Sequence, residues 1–235
     1  MKEFSLAVCI PVYNEEACIE EVLLSWLKEL KDRISGDFRI LVFDDGSSDS
    51  SFQKIRGLAE RHEEILAFHH ENQGHGPTLL KAYAIGFGLA EWVLQIDSDN
   101  EINPKDFAAF WRLRETADFI IGKRNRNSPL IRQLITFISR QVIHFIYGNR
   151  IYDVNCPFRL MRSICFESHV KGIPAHTFAP NLLISGLAAK NRLRIAEVPI
   201  THVFRATGHV SIRKFKLAKV AVKSLAQTLS FALFK

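Results

Sequence analysis

The sequence has few cysteines and no long hydrophobic run. Its four cysteines include no Cys-x-x-Cys pair, so neither a zinc site nor a disulfide framework is indicated and reduced thiols are expected. No stretch reaches the ~18 uncharged apolar residues that a membrane-spanning helix needs. No internal repeat and no low-complexity linker interrupts the chain. Residues 1–4 lead almost directly into a predicted strand, so we expect no signal peptide.

The composition is that of a packed globular protein. Of the 235 residues, 47% are hydrophobic and 24% are charged. The length suits one α/β domain with an appendage, or two small domains. The formal charge of +6 could face a nucleotide, a nucleic acid or an anionic membrane. The basic residues are scattered and follow no recognised motif, which argues against nucleic acid.

Strand-like apolar runs alternate with helical periodicity in the first half of the chain. A turn rich in acidic residues or glycine follows each predicted strand. This alternation predicts an α/β fold, with a mainly parallel sheet and helices on both faces, so that the turns gather on one edge. The predicted strands are 5–10, 39–43, 65–68 and a segment beginning at 92.

The turn after the fourth strand carries the acidic residues Asp97, Asp99 and Glu101. Ligands of open α/β sheets bind at this edge. The Asp-Ser-Asp-Asn segment forms turns readily and can bring both carboxylates to one cation. Hard oxygen ligands favour Mg²⁺ or Mn²⁺. Taken alone, the segment could equally be a solvated acidic turn.

The other three turns carry further polar and glycine residues. They are the segments Pro-Val-Tyr-Asn-Glu-Glu at 11–16, Asp-Asp-Gly-Ser-Ser-Asp at 44–49 and the turn containing Gly74 and Gly76. The two glycines would let backbone N–H groups approach a phosphate, or would only relieve a tight turn.

In this order and spacing, the four motifs resemble those of family 2 glycosyltransferases with a GT-A fold. The resemblance implies that Asp97 faces the ribose and diphosphate of a nucleotide sugar and that Asp99 holds the metal, Mg²⁺ or Mn²⁺, with Glu101 beside them. It also implies a set of residues lining the nucleotide pocket. These are Pro11, Tyr13, Glu15, Phe43, Asp45, Asp97 and Ser98, with Arg205 from the second half reaching the phosphates.

Basic and apolar residues dominate the second half. A short strand at 119–122 leads into Lys-Arg-Asn-Arg at 123–126, which suits a diphosphate or an anionic acceptor. The stripe at 130–147 is too polar to span a bilayer, but it could lie in the membrane interface or pack against the sheet. Arg124, Ser139 and Arg159 are the predicted acceptor-binding residues.

The segment Asp-Val-Asn-Cys-Pro-Phe-Arg-Leu at 153–160 resembles one found in dolichyl-phosphate mannose synthases and related polyprenyl-phosphate glycosyltransferases. That group usually has small residues where Cys156 and Pro157 stand. The resemblance implies a lipid-phosphate acceptor, whose oxygen is already anionic near neutral pH. If the acceptor is instead a sugar hydroxyl, a base is needed, and Asp153 is the candidate.

The tail, 212–235, has the pattern of a basic amphipathic helix. It could lie on an anionic membrane, cap the domain or dimerise. We therefore expect a GT-A domain at 1–211, divided into a nucleotide-sugar half at 1–122 and an acceptor half at 123–211. We also expect the protein to lie peripherally on the cytoplasmic face of a membrane.

The expected activity is inverting transfer of a sugar from GDP-mannose or a UDP-hexose to a polyprenyl phosphate, with Asp97, Asp99, Asp153 and Arg124 as catalytic residues. Three alternatives stay open. They are transfer to a sugar hydroxyl in cell-surface glycan synthesis, a sugar-1-phosphate nucleotidyltransferase, and a non-catalytic membrane-associated binding module. The nucleotidyltransferase would normally have a glycine-rich loop with a lysine after the first strand, and 11–16 has neither.

Overall fold

The structure is a computed structural model that describes residues 2–34, 37–124, 141 and 151–201. Strands and helices alternate along the described chain, and a single-turn 3₁₀ helix at Pro104–Asp106 precedes α4. The elements in chain order are β1 (Phe4–Val12), α1 (Ile19–Arg33), β2 (Phe38–Asp44), α2 (Ser51–Ala59), β3 (Ile65–His69), α3 (His75–Leu89), β4 (Ala90–Gln95), α4 (Phe107–Leu113), β5 (Phe119–Arg124), β6 (Arg159–Arg162), α5 (Ser163–Val170), α6 (Pro180–Lys190) and β7 (Ile195–Ile200).

The strands form one seven-stranded sheet in the order β3-β2-β1-β4-β6-β5-β7. Helical crossovers join β1 to β4 in sequence, so these four strands run parallel. Strand β6 is antiparallel to both its neighbours, β4 and β5, which makes β5 parallel to β4. The carboxyl ends of β1–β5 and the amino end of β6 therefore lie at one edge of the sheet.

Helices cover both faces of the sheet. Trp26 of α1 makes edge-on contacts with Phe107 of α4 and with Phe158, at 6.4 and 5.7 Å between ring centroids. On the other face, Phe87 of α3 stacks against Phe166 of α5 at 6.0 Å. The central strands β1, β2 and β4 are buried on both faces, which explains their nearly continuous apolar sequences.

The predicted α/β class with a mainly parallel sheet is confirmed. The predicted strands appear in place, and Asn103 caps the turn that Pro104 opens. Strand β6 is present although the sequence pattern did not predict it. No helix in the described part of the chain is both long and apolar enough to cross a membrane.

Several predictions fall outside the described residues. These are the apolar stripe at 130–147 with Ser139, the phosphate-contacting Arg205, and the amphipathic helix at 212–235. The division into halves at residue 122 also stays a prediction, and one continuous sheet runs through both predicted halves.

Candidate active site at the carboxyl edge of the sheet

The turns after β1, β2, β3 and β4 lie side by side and hydrogen-bond to one another. The backbone N–H of Asn14 donates to Ser47 Oγ at 2.9 Å, which joins the first turn to the second. The Cys18 thiol donates to the backbone oxygen of Ser98 at 3.4 Å, which joins the first turn to the acidic turn. The four turns thus form one continuous rim, as the parallel order of the strands requires.

Asp45 joins the second turn to the third. Its carboxylate accepts the backbone N–H groups of Gln73 and Gly74 at 2.7 and 2.9 Å, and its own N–H donates to Val12 O at 2.8 Å. The residue is 3% exposed. The carboxylate also lies 3.6 Å from His70 Nδ1. Asp45 therefore joins the turns that would form the wall of the predicted pocket, and its contact with a nucleotide stays a prediction.

The acidic turn has the sharp bend that the sequence required. Asn100 adopts a left-handed φ of 58°, and Asp99 Oδ1 accepts the backbone N–H of Glu101 at 3.2 Å. Asp97 Oδ1 is buried and has no hydrogen-bond partner among the described residues. A buried carboxylate oxygen without a partner is costly, and a cation or a donor would satisfy it.

A divalent cation fits this turn only with help from a ligand. In the described ranges, no group of three or more His, Cys, Asp or Glu side chains is placed to hold a metal. The predicted trio of Asp97, Asp99 and Glu101 is therefore not assembled as a three-ligand site. The two aspartates supply hard oxygen donors, and phosphate oxygens commonly complete such a coordination shell. The site suits a cation that arrives with a diphosphate.

Arg124 and Asp153 form a bidentate ion pair at the same edge. The Arg124 Nε and Nη2 groups donate to Asp153 Oδ2 and Oδ1 at 2.6 and 3.0 Å. Burial alone would lower the pKa of Arg124, but the Asp153 hydrogen bond and nearby negative groups raise it above its ordinary value. The guanidinium therefore stays charged. The guanidinium has five N–H donors and two serve Asp153, so the others are able to face an anion.

Two predicted binding side chains lie in the core instead. Phe43 is 2% exposed and stacks on Phe68 at 4.4 Å, so its ring does not line the pocket. Arg159 was predicted to contact the acceptor, but it is fully buried. Its guanidinium donates to the backbone oxygens of Cys156 and Asn181 at 3.0 and 2.9 Å. Neither side chain reaches the surface in this structure, and their contacts with a nucleotide or an acceptor stay predictions.

The remaining predicted nucleotide-binding residues lie on the rim. Tyr13 is 50% exposed, while Pro11 and Ser98 are buried. The Glu15 backbone N–H donates to Ser51 Oγ at 2.8 Å, which anchors the first turn to α2. Their contacts with a nucleotide stay predictions.

Gly76 has a packing role in the glycine turn. A Cβ on Gly76 would lie 2.1 Å from the backbone oxygen of Thr177 and 2.7 Å from that of Phe178. The glycine is therefore needed so that the segment before α6 can pack against the start of α3. Gly74 adopts a φ of 91° with open space beside it, so it still suits a close backbone approach to a ligand.

A buried polar cluster beneath the acidic turn was missed. The Tyr83 hydroxyl donates to Gln95 Oε1 and lies 3.2 Å from Asn181 Oδ1. These residues are 0%, 0% and 6% exposed, in that order. Two polar residues in apolar segments could have indicated this cluster. They are Gln95, at the end of an apolar strand, and Asn181, in an apolar helix.

Solved structures of similar shape identify the fold. The crystal structure of glucosyl-3-phosphoglycerate synthase from Mycobacterium tuberculosis in complex with Mn²⁺, uridine diphosphate and glucosyl-3-phosphoglycerate matches with a TM-score of 0.66 at 20% identity, over 97% of this chain and 79% of that one. Mannosyl-3-phosphoglycerate synthase from Rubrobacter xylanophilus matches with a TM-score of 0.67 at 13% identity, over 97% and 73% of the two chains. The fold is that of the GT-A glycosyltransferases.

A sequence model of a protein family matches most of this chain. Glycosyl transferase family 2 matches residues 7–170, and the chain belongs to that family. Similar curated proteins include the undecaprenyl-phosphate 4-deoxy-4-formamido-L-arabinose transferases of Photorhabdus laumondii and Proteus mirabilis. They are 26% and 24% identical over 216 residues, each over 90% of this chain. The chain spans 64% of the length of each.

Proposed function

We propose that the protein transfers a sugar, with inversion, from a nucleotide-diphosphate sugar to a polyprenyl phosphate. The observation that carries the proposal is the hydrogen-bonded rim in which four turns bring Asp45, Asp97 and Asp99 to one edge of a GT-A sheet. Such an edge can hold a base, a ribose and a cation-bound diphosphate together.

The chemistry needs a stabilised leaving group and a nucleophile. An acceptor phosphate oxygen forms a bond to the anomeric carbon while the bond from that carbon to the diphosphate breaks, and the nucleoside diphosphate leaves. One displacement of this kind inverts the carbon. Asp97 and Asp99 would hold a Mg²⁺ or Mn²⁺ ion, whose contribution is to neutralise the charge of the leaving diphosphate. The remaining N–H donors of Arg124 add positive charge nearby.

The Arg124–Asp153 pair favours an acceptor that is already anionic. A sugar hydroxyl would need a base, but both Asp153 carboxylate oxygens accept hydrogen bonds from a buried guanidinium. Taking up a proton there would break a bidentate charge-assisted pair. A phosphate acceptor needs no base, so Asp153 would instead orient Arg124.

The similar curated proteins support this acceptor class. Their names state an undecaprenyl-phosphate acceptor. An acceptor of this kind resides in a membrane, and we propose that the protein meets it from the cytoplasmic face. The donor base and sugar are left to experiment, as is the choice between Mg²⁺ and Mn²⁺.

A transfer assay tests the proposal. The full chain is incubated with Mn²⁺, a radiolabelled nucleotide sugar (GDP-mannose or a UDP-hexose) and either undecaprenyl phosphate or a soluble sugar acceptor. Label that moves to the organic phase supports the proposal. Label on the soluble sugar would favour the hydroxyl acceptor. Formation of nucleotide sugar from a sugar 1-phosphate and a nucleoside triphosphate would indicate a nucleotidyltransferase, and binding without turnover a non-catalytic module.

A further inference from the structure

In the polar cluster beneath the acidic turn, the hydrogen bond between Tyr83 and Gln95 has a fixed donor and a fixed acceptor. The Tyr83 side chain is fully buried, and burial raises the pKa of its hydroxyl well above the ordinary value, with the Asp97 charge adding to the rise. The group therefore keeps its proton and donates it. Because Tyr83 donates to Gln95 Oε1, the Gln95 amide must present its oxygen to Tyr83 and its NH₂ group elsewhere.

The NH₂ group of Gln95 and the inner oxygen of Asp97 are complementary. Gln95 Nε2 is a buried donor and Asp97 Oδ1 a buried acceptor, and neither has a hydrogen-bond partner among the described residues. Each such group costs about 1–3 kcal/mol when left unsatisfied, so a contact between the two would remove both costs.

The strand geometry puts them within reach. Gln95 is the last residue of β4 and Asp97 lies two positions beyond it, and Ile96 N still bonds to Cys9 O at 3.2 Å, so the pairing with β1 continues past Gln95. Alternate residues of a strand point to the same side and lie about 6.6 Å apart. Joining Nε2 to Oδ1 takes a side-chain rotation, because the structure shows no hydrogen bond between them.

We propose that Gln95 and Tyr83 are positioning residues for Asp97. Gln95 donates to the inner oxygen of Asp97 and fixes the carboxylate so that the outer oxygen faces the cation. Tyr83 holds the Gln95 amide in the orientation that makes this donation. The inference rests on the proposed function, since it assigns Asp97 to the cation and its diphosphate ligand. Partners of this kind typically change metal affinity by about 10- to 100-fold when removed.

The test measures Mn²⁺ affinity rather than turnover. The loss of the free Mn²⁺ electron paramagnetic resonance signal is titrated in the presence of the nucleoside diphosphate that binds best. We expect Gln95→Met, which removes the donor at similar volume, to weaken Mn²⁺ binding about 10- to 100-fold. Gln95→Glu should weaken it at least as much, because a carboxylate replaces the donor. Tyr83→Phe should have a smaller effect in the same direction.

Ser163→Ala is the matched control. Ser163 also carries a buried polar atom with no partner among the described residues, but it follows β6 at the opposite end of β4, where Arg162 pairs with Trp92. The Ser163→Ala variant should leave Mn²⁺ affinity unchanged. A saturating Mn²⁺ concentration should restore most of the kcat of the Gln95 and Tyr83 variants, which a general packing defect would not allow.

The outcomes separate this inference from the proposed function. Failure of the unaltered chain to bind Mn²⁺ with any nucleoside diphosphate counts against the function itself. If the unaltered chain binds and folded Gln95→Met binds equally well, the positioning role is wrong while the function stands. If Gln95→Met does not fold, Gln95→Glu and Tyr83→Phe decide, and wild-type affinity in both overturns the inference.

Discussion

The proposed nucleotide side of the site, formed by the turns after β1–β4, is held by hydrogen bonds from backbone N–H groups to short polar and carboxylate side chains. The proposed acceptor side, formed by the end of β5, residues 151–159 and α6, is held by arginine side chains. On the first side, one carboxylate bonds two consecutive N–H groups at Gln73 and Gly74. On the second, Arg124 pairs with Asp153, and Arg159 bonds to backbone oxygens.

This difference has an energetic consequence. A short hydrogen bond to the backbone contributes about 0.5–1.5 kcal/mol, and its loss is often partly replaced by water. A largely buried guanidinium that loses the carboxylate it pairs with is only incompletely rehydrated, so the loss is more costly. Substitutions on the nucleotide side should therefore impair activity more than stability, and substitutions on the acceptor side should impair stability first.

The largest expected effect tests the acceptor side. Asp153→Ala leaves Arg124 unpaired with a side chain that is 14% exposed, which should destabilise the protein by about 3–5 kcal/mol. Urea denaturation followed by circular dichroism measures this change. The double variant Arg124→Leu with Asp153→Leu should be less destabilised than Asp153→Ala. A loss below about 1 kcal/mol for the single variant, the value of a surface pair, would contradict the contrast between the two sides.

The second effect tests the nucleotide side. Asp99→Ala should reduce sugar transfer at least ~100-fold, because the charge of the leaving diphosphate is no longer neutralised. The thermal midpoint should stay within a few degrees of the unaltered protein's, since Asp99 is only half-buried and its carboxylate accepts the backbone N–H of Glu101 within the turn. Glu91→Ala, which removes an exposed carboxylate from β4, serves as the control. Full activity in the Asp99→Ala variant would show that this turn does not hold the metal used in sugar transfer.

The junction between the two sides gives a third, smaller effect. Gly76→Ala puts a Cβ 2.1 Å from Thr177 O, so the segment before α6 must move, at a cost of about 1–3 kcal/mol. Gly88→Ala in the same helix meets nothing within 4 Å and should be neutral or stabilising by up to about 1 kcal/mol. Thermal denaturation of both variants compares them. Equal midpoints would show that the two sides do not meet at Gly76.

The smallest effect concerns an exposed ion-pair cluster away from both sides. Hydrogen bonds from Arg194, and to a lesser degree from Arg162, lower the pKa of Asp118 from 3.8 to about 2. The ionised carboxylate is favoured in the folded state, so its stabilisation is present above about pH 4 and is lost as the pH falls through about 2. Both arginines are about half exposed, and solvent screening limits the effect to about 1 kcal/mol.

The measurement compares Asp118→Asn with the unaltered chain in urea at several pH values. The stability difference should be constant from pH 7 to about pH 4 and should shrink below it. Glu91→Gln provides the control at an exposed carboxylate. A difference that grows as the pH falls would reverse the sign and contradict the ion-pair account.

The turns of the proposed nucleotide side could be predicted from the sequence because each turn is specified by its own motif. The Asp-Ser-Asp-Asn segment predicts a turn by its own chemistry, and Asn100 does take the left-handed conformation. Parallel strands then bring the separate turns to one edge without any knowledge of side-chain packing.

The acceptor side could not be predicted in the same way. Arg159 stands in a motif that resembles a binding segment, yet its burial depends on β6 inserting between β4 and β5, which no local pattern indicates. Phe43 was placed in the pocket although its partner Phe68 lies on a different strand. Gly76 reads as a phosphate turn until Thr177, about 100 residues later, packs against it.

The most direct test of the central claim is calorimetric titration of the unaltered chain with UDP and with GDP, each with and without Mn²⁺. The account predicts that at least one of them binds about 10-fold or more tightly with the cation, a coupling that two adjacent sites commonly show. It also predicts that Asp99→Ala abolishes this gain while the protein stays folded. Binding of neither nucleotide, or equal binding with and without Mn²⁺, would contradict the claim that the acidic turn brings a cation and a diphosphate together.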